Sequence, residues 1–147
     1  MLYISFSAII ADCIWYNFGM RGDLKEIYYA FDGKLVGSRT MKQNVCEVLS
    51  KMSPDVIRFV THNCWFFASM EDAWAFTFTG NDLKNQHLIF LSDELMLQSK
   101  EHIYYTIAHE IGHVTLGHRN SVLERQSKQE VKIQEEEAGL FAKQFGF

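Results

Sequence analysis

The sequence holds a single proline in 147 residues and no Ser/Gly-rich stretch, which argues against a linker or a disordered tail. A basic cluster is missing as well. The formal charge is −4, and the nearest thing to a basic patch, Arg119 to Lys132, is diluted by its own acidic residues. A direct nucleic-acid binder would show a basic face, so that class is set aside. No glycine-rich turn precedes a helical pattern, which removes the phosphate-cradling loops. Cysteines number three, Cys13, Cys46 and Cys64. The odd count and wide spacing do not suit a secreted disulfide scaffold and leave no Cys-x-x-Cys pair for a metal, so reduced thiols in a cytoplasmic protein are expected. Residues 1–18 are strongly apolar, but they fall short of the about 20 residues a membrane span needs. They lack a positively charged start and a small-residue cleavage site, and Asp12 interrupts them. They read as a buried segment rather than a signal peptide or anchor, and periodicity does not separate strand from helix there.

What is present is the balance of a soluble globular protein, with 48% hydrophobic and 22% charged residues. The length suits one domain spanning residues 1–147 and a sizeable core. With 12 phenylalanines, that core is expected to be rich in aromatic rings. Asp32-Gly33, between Glu26–Phe31 and Lys34–Val36, carries a hairpin signal. Residues 40–52 have helical spacing through Val45, Val48 and Leu49, and Ser53-Pro54 starts another short helix. Residues 74–79 and 87–91 read as neighbouring antiparallel strands joined by a turn at Gly80-Asn81-Asp82. Ser99 can cap a helix that runs to about Leu116, with Gly117 as its stop. A last helix is expected over about 129–145. The order gives an α+β domain: a small mixed sheet packed on two helices.

The chemistry is concentrated in His109-Glu110-Ile111-Gly112-His113. Histidines at i and i+4 share one helix face, so their imidazoles can converge on one metal ion. Glu110 is rotated off the metal axis yet stays close enough to take a proton from a water that the metal activates, and to pass it to a leaving amine. A chance match to His-Glu-x-x-His in a chain this long has a probability on the order of 1%. The helix is also apolar around the motif, at Ile107, Ala108, Ile111 and Val114, unlike a solvated surface helix with two incidental histidines.

A catalytic zinc needs a third protein ligand and an open position. His118 follows His113 by five residues, about 140° around a helix, so a surface histidine near the helix end is the expectation for it. His102 shares the histidine face but lies two turns upstream, about 10 Å away, too far to ligate. It could line a substrate cleft. His62 and His87 carry no spacing signal. In the last helix Val131, Ala138, Phe141, Ala142 and Phe145 mark a buried stripe, and Glu136 points away from it. Glu135 and Glu137 flank the stripe on opposite sides, and periodicity leaves both open as ligands. Tyr104, Tyr105, His102 and His118 are unranked candidates for stabilising an oxyanion.

The run Thr106-Ile107-Ala108-His109-Glu110-Ile111-Gly112-His113, followed by Glu137-Ala138-Gly139-Leu140-Phe141-Ala142, resembles the ImmA/IrrE metallo-endopeptidases. The likeness covers residues 86–145. It implies a zincin-like fold with a His-His-Glu zinc site: His109, His113 and Glu137 as ligands and Glu110 as general base. It also implies a protein substrate of narrow choice, a helix-turn-helix transcriptional repressor, cleaved in the cytoplasm. A membrane or nucleic-acid partner is not expected. The alternative is a zincin-fold binding module that sequesters a regulatory protein without cutting it, and a non-peptidase zinc hydrolase is a third reading. The intact Glu110 favours the enzyme.

Overall fold

Leu24, Ile27 and Phe31 recur at helical intervals and are all buried. They hold α1 (Gly22–Ala30) on the core. The computed structural model describes residues 22–69, 75–79, 84–119 and 125–147. The apolar segment 1–18 and the turn at Gly80-Asn81-Asp82 lie outside the described residues. The hairpin expected around Asp32-Gly33 is not formed, because its first arm is α1. The turn itself is there, with φ of 48° at Asp32 and 85° at Gly33. It leads from a helix into β1 (Leu35–Val36), not from a strand into a strand.

Helix α2 (Arg39–Leu49) starts at Ser38, whose hydroxyl accepts from the Met41 amide. Its buried side includes Met41, Val45, Val48 and Leu49. Helix α3 (Pro54–Asn63) begins at Ser53 with Pro54 in its first turn, although the Ser53 hydroxyl makes no capping bond. The chain passes straight from α3 into β2 (Cys64–Ser69), a strand without an expectation from the sequence. Strands β3 (Ala75–Thr79) and β4 (His87–Ser92) are antiparallel neighbours, as expected.

The sheet has four strands in the order β1-β2-β4-β3. β1 pairs with β2, and β2 with β4, in parallel. Among the described residues β3 and β1 are therefore the edges, and β4 is interior. One face of the central strands carries Phe66, Ile89 and Leu91, each at most 1% exposed. Burying each such side chain is worth about 1.5–3 kcal/mol before entropy is counted. The opposite face carries the stacked rings Trp65–Phe67 and Phe67–Phe90, 6.0 and 5.5 Å apart, all half-buried. The expectation of an aromatic-rich core is met only in part among the described residues: the centre is mainly aliphatic around Phe31, Phe66 and Phe141, Tyr28, Phe59, Tyr104, Phe145 and Phe147 pack against it from outside, and three rings sit on the outer sheet face.

Helix α4 (Lys100–Thr115) is capped by Ser99, whose hydroxyl accepts from the His102 amide at 3.3 Å. It buries Ile103, Ile107, Ala108, Ile111 and Val114. Helix α5 (Lys128–Gln144) opens with a reciprocal cap between Ser127 and Glu130 and packs along α4. At the crossing Gly112 has no room for a side chain. A Cβ there would lie 3.2 Å from the Cα and O of Ala138 and from Phe141. Among the described residues no helix is long and apolar enough to cross a membrane.

Candidate metal centre

His109 and His113 lie one turn apart on α4 and turn their Nε2 atoms toward each other, 3.1 Å apart. Each side chain is 16% exposed, so both rings are wedged in place with one edge open. The crossing at Gly112 and Ala138 decides which carboxylate joins them. Glu135 lies one turn before Ala138, on the same side of α5, and His109 one turn before Gly112. The close approach carries Glu135 over the two rings. Its Oε2 is 3.0 Å from His109 Nε2, and its Oε1 is 3.5 Å from His113 Nε2. Glu137, placed in the ligand set by the sequence resemblance, faces another way. Its Oε2 is 3.1 Å from His118 Nε2.

The histidine–histidine–carboxylate group fits a metal ion. The ligand atoms of His109, His113 and Glu135 all lie within 4.8 Å of one another. A tetrahedral zinc with bonds near 2.0–2.1 Å separates its ligands by about 3.3–3.4 Å. The closest approaches here are near that value: 3.1 Å between the two imidazoles, 3.0 Å from Glu135 Oε2 to His109 and 3.5 Å from Glu135 Oε1 to His113, the carboxylate meeting the two rings through different oxygens.

Glu110 is turned about 100° round α4 from His109 and about 60° from His113, toward strand β3. It is buried, and the Thr77 hydroxyl donates to its Oε2 at 2.6 Å. Burial raises its pKa, while the Thr77 bond and nearby His109 pull it back and Glu135 pushes it up further. The direction suits a base that must accept a proton near neutral pH. Burial lowers the pKa of His113, against Glu135, with His109 and His118 helping. Its ring is therefore neutral at pH 7, as a metal ligand must be.

His118 departs from the expected surface position. Its side chain is only 7% exposed. Helix α4 ends at Thr115, and Gly117, with φ of 69°, reverses the chain. The His118 amide bonds back to the His113 carbonyl and the Gly117 amide to that of Val114. This reversed helix end brings the His118 ring onto His113, with the two Nδ1 atoms 2.9 Å apart. Extrapolating the helix past Thr115 put the ring on the wrong face; the glycine was the signal that could have found it. Among the other candidates, the Tyr104 hydroxyl donates to Glu47, and His102 is exposed. The Tyr105 ring lies 5.8 Å from that of His109. His62 is exposed, and His87 is buried against Phe59.

A helix presenting His-Glu-x-x-His, a carboxylate from a second helix and an edge strand beside the glutamate define a metallopeptidase centre of the zincin class. The sequence profile of peptidase family M48 matches residues 41–142, and the chain belongs to that family. Peptidases of this family are metal-dependent, typically on zinc. No individual curated protein and no solved structure is matched by the chain.

Proposed function

We infer that the protein is a zinc-dependent endopeptidase acting on a protein substrate, with His109, His113 and Glu135 as ligands and Glu110 as the general base. The observation that carries this reading is the convergence of the His109, His113 and Glu135 donor atoms, all within 4.8 Å of one another, near a buried, separately held glutamate. Zinc, when bound, lowers the pKa of water and polarises a carbonyl. The chain supplies the rest. Thr77 engages Glu110 Oε2, which leaves Oε1 to take the proton from water and return it to the leaving amine. Strand β3 is an edge among the described residues, and Thr77 ties it to the base. An extended peptide adding to β3 as a further strand would run past Glu110. The sequence left β3 and β4 both open for this role; β4 is interior, which favours β3.

The finer reading, cleavage of a helix-turn-helix repressor in the cytoplasm, rests on the likeness of residues 106–113 and 137–142 to ImmA/IrrE enzymes. The test is a pair of variants assayed on a fluorogenic peptide library and by metal analysis. Glu110→Gln keeps one zinc per chain and cleaves about 10²–10⁴-fold more slowly. Glu135→Ala loses the zinc. No cleavage by the zinc-loaded wild type, with Glu110→Gln no different from it, would leave only a binding module, and equal cleavage by both would remove Glu110 as the base.

A further inference from the structure

We propose that His118 and Glu137 act as positioning residues behind the metal site, through a hydrogen-bonded chain Glu137–His118–His113 that fixes which nitrogen of His113 faces the metal. The proposal rests on the zinc-site reading above and gives Glu137 a role other than that of a ligand.

The chain of donors and acceptors runs one way. A carboxylate only accepts, so His118 Nε2, 3.1 Å from Glu137 Oε2, must donate. In neutral His118 the other nitrogen, Nδ1, is then an acceptor. It lies 2.9 Å from His113 Nδ1, which must therefore carry the proton. His113 Nε2 is left with its lone pair, and that atom is the one aimed at His109 and Glu135. One half-exposed carboxylate thus selects the metal-binding tautomer of a ring two residues along the relay. A ligating histidine whose other nitrogen donates to such a partner is held in orientation and made more basic.

The two histidines of the site differ in this respect. His109 Nδ1 is buried with no hydrogen-bond partner among the described residues, whereas His113 Nδ1 has His118. The backing is one-sided, and its parts come from opposite ends of the fold's last third: His118 from the reversed end of α4, Glu137 from α5. The relay also ties α5 to α4 at a second point beside the ligand contact of Glu135.

Zinc affinity, measured by competition with a chromophoric chelator, tests the relay without any substrate. The d–d spectrum of the cobalt-substituted protein gives a second readout. His118→Ala is expected to bind zinc about 10–100-fold more weakly and to shift the cobalt bands. Glu137→Ala, at an exposed position that the fold tolerates, moves both readouts in the same direction by less. The double variant is no weaker than His118→Ala, because Glu137 acts only through His118. His118→Asn, whose side-chain oxygen can accept from His113 Nδ1, recovers most of the loss. Glu135→Ala loses more affinity than any of these.

Two results overturn the relay while the zinc site stands. One is His118→Ala and Glu137→Ala both binding within about twofold of wild type while Glu135→Ala fails. The other is Glu137→Ala losing as much as Glu135→Ala, which would make Glu137 a ligand. A wild type that takes up no zinc overturns the relay and the site together.

Discussion

The two helices that build the site hold their side chains in different ways. Helix α4 buries five apolar residues, one glycine and Glu110, the proposed base, and its two histidines are each 16% exposed. Helix α5 buries only Ala138, Gly139, Phe141 and Ala142, and the carboxylates of Glu135 and Glu137 are 57% and 54% exposed. On α4 the rotamers are set by packing before any metal arrives. On α5 the axis is set by packing, and the carboxylates keep the freedom of solvated chains. The difference teaches how the costs are divided. Burial keeps the His113 imidazole neutral and ready, while the Glu135 carboxylate stays hydrated and is spared the large penalty of an unpaired buried carboxylate.

The contact that joins the two halves is the place to break them apart. Gly112→Val puts a branched side chain where even a Cβ would stand 3.2 Å from the backbone of Ala138. Backbone atoms cannot swing aside, so the helices separate. We expect a loss of about 3 kcal/mol in urea unfolding of the metal-free protein, the upper end of the overpacking range. Zinc affinity falls as well, because Glu135 moves off the histidines. Unchanged unfolding and unchanged affinity would show that the crossing does not set the site.

The difference between the helices also explains what could be read from the sequence. Everything on α4 is local: the Ser99 cap, the i, i+4 histidines and the glycine stop lie within 19 consecutive positions of the sequence, and all fell where expected. The third carboxylate is not local. Whether Glu135 or Glu137 reaches the rings depends on how α5 lies on α4, which is fixed by Gly112 against Ala138, a pair of small residues on different helices. The same reason hid β2. Cys64-Trp65-Phe66-Phe67-Ala68 is apolar on both faces because the strand is central, so it lacks the alternation that marks a half-exposed strand. α1 was misread because Asp32-Gly33 suits any turn with positive φ. The spacing of Leu24, Ile27 and Phe31 was the better guide.

A smaller perturbation separates the base from the ligands. Thr77→Val removes the donor to Glu110 Oε2 and leaves α4 and α5 in contact. The sign follows from the cause. The hydroxyl favours the ionised carboxylate, so its loss raises further a pKa that burial already raises from 4.5. A carboxyl group with a raised pKa costs the folded state nothing while protonated. The penalty appears as pH climbs through the folded value. The variant should therefore unfold like wild type at pH 4 and be less stable at pH 8, by about 1.5 kcal/mol for a lost bond to a charged group. The acid limb of its pH–rate profile moves to higher pH, and zinc affinity does not change. A stability gap that is the same at both pH values would mean that Thr77 serves packing rather than the charge on Glu110.

The mildest test addresses α5 alone. Its first turn is held by Ser127, whose hydroxyl accepts from the Glu130 amide at 3.1 Å, while Glu130 Oε2 accepts from the Ser127 amide at 2.7 Å. The Ser127 bonds also hold the Glu130 carboxyl below its usual range. Ser127→Ala removes half of this cap and should cost about 1 kcal/mol. Glu135 sits two turns further on, where the helix is already anchored by Ala138 and Phe141. Fraying of the first turn should not reach it, so zinc affinity stays within about twofold of wild type while the melting midpoint drops. If affinity fell in step with stability, the axis of α5 would depend on its start rather than on the crossing at Gly112. The contrast between a packed helix and a loosely held carboxylate would then have to be redrawn, with the cap as a remote support of the metal centre.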